Sequence, residues 1–260
     1  MLFLLSPAKS LDYETPAPDE VLALATEPQF MRQSAELIKL MRGYSAADIG
    51  ELMDLSPALS TLNVQRYKAW RQKPAPEKTK PAVLAFDGDV YGGLNAPSLR
   101  VSDLEWAQDH VAILSGLYGV LRPLDRLQPY RLEMGIRVEH PSGTGLYSYW
   151  GDRIAEHLNK RAAQEQAPVI INLASQEYFK AAGRKALKPR VVECQFEDWK
   201  NGEYKIISFF AKRARGLMAR YAILNRIGTP AGLQGFDLDG YRFEAALSTP
   251  DRLLFRRKIT

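Results

Sequence analysis

The sequence holds one cysteine, Cys194, and three histidines, His110, His140 and His157. A lone cysteine excludes an internal disulfide and fits a reducing compartment. So few thiol and imidazole ligands argue against a zinc centre of the usual Cys/His kind. No Glu-x-x-His pair is present, which argues against a di-iron helix bundle. Neither a resident metal nor a cofactor is expected. No apolar run reaches the ~18 residues that a membrane span requires. The opening Met1-Leu2-Phe3-Leu4-Leu5 is short, lacks a basic lead and stops at Ser6-Pro7. It reads as a strand and not as a signal peptide, so a cytoplasmic, membrane-free protein is expected. Also missing are a Gly-x-x-x-x-Gly-Lys phosphate loop and a Gly-x-Gly-x-x-Gly fingerprint. Ser115-Gly116-Leu117-Tyr118-Gly119 is not a nucleophile elbow, and the histidines lie outside every polar motif, so a Ser-His-Asp mechanism has no support.

What remains is an ordinary globular chain of 260 residues, 46% hydrophobic and 25% charged, without repeats or low-complexity tracts. It suits a single domain over residues 1–260. The charge is unevenly placed. Residues 1–177 hold 18 Lys/Arg and 22 Asp/Glu, whereas residues 178–260 hold 17 and 8. A basic C-terminal third favours anionic partners, nucleic acid or phosphate groups, over a merely solvated surface only in combination with other signals.

The spacing predicts an α/β domain: a mixed sheet flanked by helices, a helical insertion near residues 28–71, and a C-terminal β-hairpin followed by a basic helix. In the insertion Pro28 opens a helix that Gly43 ends. Ser45 caps the next, with Asp48 three residues on, and Ser56-Pro57 starts a third. Short apolar runs at 2–5, 82–86, 111–114 and 169–173 read as buried strands. A helix is expected over 149–164, and Asn201-Gly202 marks a hairpin between runs at 191–196 and 204–210. A helix follows over about 211–227, then two weak strands near 241–243 and 253–256. The stretches 14–20 and 72–81 are proline-rich loops.

Each predicted sheet strand is followed by a polar motif: Ser6-Pro7-Ala8-Lys9, Asp87-Gly88-Asp89-Val90-Tyr91-Gly92, Ser115 through Gly119, and Ala174-Ser175-Gln176-Glu177-Tyr178 with Asn172 just before. Ligands of open α/β sheets bind beyond the carboxyl ends of the strands. Parallel pairing would therefore gather Ser6, Lys9, Asp87, Asp89, Tyr91, Ser115, Tyr118, Asn172, Ser175 and Glu177 into one pocket. Lys9, Asp89 and Glu177 are its candidates for charge stabilisation or proton transfer. Taken singly, such motifs more often serve turns and helix caps. Arg122, Asp125, Arg131 and Glu133 suit a structural ion network, or an arginine that holds phosphate bidentately. The aromatic stretch 146–151 suits the core, with base stacking as the sharper alternative.

From Tyr204 to Phe236 there are six basic residues and no acidic one. Lys212, Arg213, Arg215, Arg220 and Arg226 share one arc of a helical wheel, with Leu217, Met218, Tyr221 and Leu224 opposite. An ordinary exposed helix mixes signs. Two further acid-free groups, Lys180, Arg184, Lys185, Lys188 and Arg190, and Arg252, Arg256, Arg257 and Lys258, extend the footprint of a phosphate-backbone binder. Such contacts position nucleic acid without reading it. The expected partner is double-stranded DNA without sequence specificity, through Lys212, Arg213, Arg215, Arg220, Arg226, Arg122 and Arg131. No obligate protein partner is evident.

Together these motifs closely resemble the bacterial peroxide stress resistance protein YaaA family. The residues that carry the resemblance are Ser6–Lys9, Gly88–Tyr91, Leu114–Asp125, Pro129–Gly135, Tyr149–Gly151, Asn172–Ser175 with Glu177-Tyr178, and Ile207–Tyr221. The match runs nearly end to end. It implies a cytoplasmic protein induced by hydrogen peroxide that limits oxidative damage to DNA and protein, partly by keeping free iron low. It also implies an unusual α/β fold with a basic cleft and affinity for double-stranded DNA, and a helix-hairpin-helix-like element that falls at residues 46–70. There the junction is Leu55-Ser56-Pro57-Ala58, without the glycine-containing hairpin of that motif. The resemblance carries no catalytic activity. Two other classes stay open: an enzyme acting on a nucleotide or a DNA base, extruded against Tyr91 or Tyr118, and iron held by Asp87, Asp89 and Glu177 without a recognisable ligand spacing.

Overall fold

The computed structural model describes residues 1–164, 168–183 and 185–258. An eight-stranded mixed sheet runs through the centre. Its first strand, Leu2–Leu5, is buried along its whole length and pairs in parallel with Val111–Ser115 on one side and Val169–Asn172 on the other. Arg190–Lys200 and Arg252–Arg257 continue the parallel order outward. Gly119–Leu121, Arg242–Phe243 and Glu203–Lys205 add antiparallel edges. Continuous apolar runs such as Leu2–Leu5 are what a strand covered on both faces needs. The chain leaves the first strand to one side and returns to its other side, so winding reverses beside Leu2–Leu5. In open α/β sheets that reversal leaves a crevice at the carboxyl edge.

The helical insertion follows its cap residues. Helices span Met31–Met41, Ala46–Met53 and Pro57–Ala69. Ser45 and Asp48 form a reciprocal capping box, and Ser56 accepts from the Leu59 amide with Pro57 in the first turn. The Asn201-Gly202 turn takes positive φ at both residues and closes the hairpin Trp199↔Tyr204.

Four expectations need correction. The run at 82–86 is not a sheet strand. Ala82–Ala85 forms one helical turn after Pro81, its amides donating to the carbonyls of Pro123 and Asp125, and only Phe86–Asp87 extends, pairing with Ser10–Leu11 outside the main sheet. A short buried apolar run carries no period that separates the two states. The helix expected over 149–164 is two helices, Leu146–Trp150 and Arg153–Ala162, broken at Gly151, whose φ is +52°. The loop at 14–20 turns helical at its end, with a short helix over Asp19–Leu22. The basic helix spans Ser208–Leu224. Leu224 is exposed while Ile223 is buried, along with Ala211, Ala214, Gly216, Ala219 and Ala222. Small residues give this helix a second packed face, which a wheel that counts only large apolar side chains does not display. Among the described residues no helix is long and apolar enough to cross a membrane.

Candidate functional site

At the reversal beside Leu2–Leu5 the chain builds a cavity of about 410 Å³. Its floor is the motif after the first strand. The Ser175 amide donates to Ser6 Oγ at 2.8 Å, which ties the loop after Val169–Asn172 to the loop after Leu2–Leu5. The Ser10–Leu11 strand then carries Phe86–Asp87, so Asp87, Gly88 and Asp89 reach the same cavity by strand pairing. Tyr91 Oη donates to the Ser6 carbonyl at 3.0 Å and fixes the helix Asp89–Leu94 above it.

That helix in turn positions the basic one. A Cβ on Gly216 would lie 1.8 Å from the Val90 carbonyl oxygen, and one on Gly93 would lie 2.2 Å from the Arg213 carbonyl oxygen. Only backbone-to-backbone contact permits so close a crossing. It brings Lys212 and Arg215 to the cavity wall.

The opposite wall is the segment 130–133, held from beneath. Gly116 lies so close that a Cβ there would be 2.1 Å from the Leu132 carbonyl oxygen. Ser115 Oγ bonds Tyr130 Oη at 2.6 Å. The helical insertion supports the same segment: Tyr67 Oη donates to the Arg131 carbonyl, Trp70 Nε1 donates to Tyr118 Oη at 2.8 Å, and the Gln128 side chain bonds the Arg71 backbone in both directions.

Of the ten expected pocket residues, Ser6, Lys9, Asp87, Asp89, Tyr91, Ser175 and Glu177 line the cavity. Ser115, Tyr118 and Asn172 do not. Ser115 and Tyr118 are fully buried behind the wall, where burial pushes the Tyr118 phenol up to about 12. Asn172 Oδ1 accepts from the Ala174 amide, a turn-forming role. Glu177 is already engaged, its Oε1 accepting from the Gly135 amide at 3.0 Å. Burial raises the phenols of Tyr91, Tyr130 and Tyr178 well beyond their ordinary range, so all three stay neutral.

The residue the sequence reading left among structural ion pairs is Glu133. It lines the cavity with a side chain only 14% exposed. Arg131 Nε and Nη2 both reach its Oε1 at 3.0 Å, and Lys9 Nζ lies 3.7 Å from the same oxygen. Its Oε2 is buried and makes no hydrogen bond among the described residues. The Arg-x-Glu spacing was the only signal, and it is shared by countless surface pairs.

The basic residues divide. Lys212 and Arg215 line the cavity and, among the described residues, form no ion pair with a carboxylate. Burial lowers the Arg215 guanidinium below its usual range. The others are spent in the fold. Arg213 pairs with Asp239, Arg226 with Asp103 at 2.7 Å, and Arg220 donates to the carbonyls of Leu94 and Asn95. Arg122 pairs with Asp125 beside a second cavity lined by His157 and Arg161, apart from the residues of the first. Arg131 is held by Glu133. Several residues of the outer basic groups are likewise engaged: Arg190 with Asp251, Arg256 with Glu197, Arg257 with Asp198 and Asp239, and Lys180 and Lys258 over aromatic rings. Arg184 lies outside the described residues. Of the basic-helix residues, Lys212 and Arg215 thus line this mixed-charge pocket without an ion pair among the described residues.

Fold and site define an α/β protein with a phenol-walled pocket that carries charges of both signs at the carboxyl edge of its sheet. The chain belongs to the peroxide stress protein YaaA family, whose model matches residues 1–247. It is 61% identical to a UPF0246 protein of Variovorax paradoxus over the whole of both chains. It is also 61% identical to one of Leptothrix cholodnii, across 99% of this chain and 98% of that one. A UPF0246 protein of Bordetella pertussis is 60% identical, with 99% of each chain covered. Membership supports a role in the peroxide stress response.

Proposed function

We propose that this protein serves the peroxide stress response in the cytoplasm by binding nucleic acid at the edge of the pocket. Lys212 and Arg215 take backbone phosphate there, without reading sequence. The observation that carries the reading is the pairing pattern: of the five singled out on the basic helix, Lys212 and Arg215 line the cavity and, among the described residues, form no ion pair with a carboxylate. A desolvated guanidinium beside phosphate recovers the charge stabilisation that burial costs it. Anisotropy titrations of mixed-sequence duplexes test this. The double variant Lys212→Ala, Arg215→Ala weakens binding to all sequences alike, and unchanged affinity removes the proposal.

A second reading has its own observation. A cavity of about 410 Å³ accepts a molecule of nucleotide size and not a duplex. An enzyme acting on a nucleotide or an extruded base would use Lys9, Asp89 and Glu133 at that place. Lys9→Ala with duplex binding intact and stress protection lost favours it; full protection by that variant counts against it. We place the lowering of free iron downstream of either event. Among the described residues no three of His, Cys, Asp and Glu, the cavity carboxylates included, are placed so that they could hold one metal ion, so calorimetry of metal-free protein with ferrous iron is expected to show no specific uptake.

A further inference from the structure

We infer that Ile206 and Phe209 form an apolar wedge that enters a base step of a bound duplex and unstacks it beside the phosphate held by Lys212. The inference deepens the phosphate reading given above and rests on it. Single exposed apolar side chains are ordinary on a protein surface. This pair is not scattered. Ile206 and Phe209 are 57% and 56% exposed, the highest values of any large apolar side chain among the described residues, and the next is 42%. They stand three residues apart, where the hairpin strand Glu203–Lys205 gives way to the helix Ser208–Leu224. Helical side chains tilt towards the helix N-terminus, so Phe209 leans to the end from which Ile206 emerges. The neighbouring Phe210 is anchored, with the Arg257 guanidinium 4.8 Å from its ring centroid. Among the described residues the ring contact of Phe209 is with Phe210, edge to face, at 5.6 Å between centroids.

Charge decides what such a pair meets. Lys212 follows Phe209 by three residues, so the two share one helix face with Cβ atoms about 5–6 Å apart, and Lys212 lines the cavity. Lys205 precedes Ile206 and is paired with Glu203 at the hairpin. The helix has no acidic residue in its first turn. Asp239, packed against this helix, is held by Arg213 and Arg257. An apolar side chain set beside phosphate-binding cations is the pattern of proteins that kink a duplex: the cations hold the backbone while Phe, Ile, Leu or Met parts two base pairs. Such insertion reads no sequence directly, since the duplex yields where it is most deformable. A lipid surface would need a longer apolar face. Beyond Phe209 the apolar residues Ala211, Ala214, Leu217 and Met218 are buried in the fold.

The test is the fluorescence of a short mixed-sequence duplex carrying 2-aminopurine at several positions, titrated with the full chain. At saturation the emission is expected to rise about twofold as bases unstack. Ile206→Ser with Phe209→Ser, both at exposed positions, is expected to lose that rise at saturating protein. It is also expected to weaken duplex affinity by about tenfold, within the range for one stacked base, and to keep the salt slope, since no charge is removed. Ile206→Leu with Phe209→Met keeps the wedge apolar and is expected to keep the rise. Bound duplex without a rise in the unaltered protein, a measurement that needs no variant, overturns the inference and leaves the phosphate reading standing. So does a rise that survives the double serine variant. If Lys212→Ala with Arg215→Ala loses no duplex affinity, the phosphate reading fails by itself and the inference falls with it. Binding to anionic vesicles, or a dimer, that the double serine variant loses while the duplex emission stays flat assigns the pair to a lipid surface or to a second copy of this chain, and overturns the inference as well.

Discussion

Single side chains show where chemistry and stability part company. His157 was set aside in the sequence because it belongs to no polar motif, and it does not touch the candidate site. It lies instead at the second cavity, its ring centroid 5.6 Å from that of Phe30 in a T-shaped contact, with Arg122, Arg161, Glu27, Asp109 and Asp125 around the same space. Burial, then the charges of Arg161, Arg122 and Lys160, push its imidazole down from 6.5 to about 4. The sign follows from proton uptake. Between those values the unfolded chain binds a proton that the native chain refuses, so stability falls as pH falls from 6.5 towards 4. The loss is about 2 kcal/mol once the part of the ring still open to water is counted. Urea denaturation at pH 7 and pH 4.5 is expected to show that loss in the native sequence and much less of it in His157→Gln. Glu133 teaches the converse. Its type and spacing were visible, but its burial and its half-satisfied carboxylate depend on Gly116 and the helical insertion, which lie far away in sequence.

Among elements, those that announce themselves locally were legible. Ser45 with Asp48, Ser56 with Pro57, and Asn201 with Gly202 act within a few residues, and each marks the boundary it should. What was not legible is decided by contact between elements. The turn Ala82–Ala85 is set by carbonyls of Pro123 and Asp125. The crossing of Asp89–Leu94 over Ser208–Leu224 is set by glycines whose value shows only when the two backbones meet. That crossing places the phosphate cations relative to Asp89, and it makes a stringent prediction. In Gly216→Ala the new methyl meets a backbone carbonyl, which cannot rotate away. The expected cost is about 1–3 kcal/mol, the range for overpacking a tight interior. Chemical denaturation measures it directly. Any remaining duplex affinity should fall as well, because the helices must part to admit the methyl group. A variant as stable as the parent would mean that the crossing is looser than its geometry.

For the whole molecule, the charge imbalance of residues 178–260 proved a poor guide to free charge. Sequence shows that acids are scarce there, but not that four of the eight present, Asp198, Glu197, Asp239 and Asp251, each hold an arginine. Nor does it show that Asp103 crosses from the N-terminal part to neutralise Arg226. The paired network serves the fold, and a pair already satisfied gains little by exchanging its partner for phosphate. This turns a composition argument into a quantitative one. Each phosphate neutralised on duplex DNA contributes about −0.9 to the slope of log affinity against log salt. A uniformly basic third would give a slope steeper than about −6. Contact through Lys212, Arg215 and the largely exposed Lys9 gives about −3. Removing Lys212 and Arg215 together should flatten the slope by about 2. Removing Arg213 and Arg226 should leave it unchanged, while costing stability at Asp103, which is 1% exposed and would keep only Arg100 as its arginine partner. A steep slope that depends on Arg213 or Arg226 would mean that these ion pairs open on binding, and the nucleic acid surface would then extend along the whole basic helix.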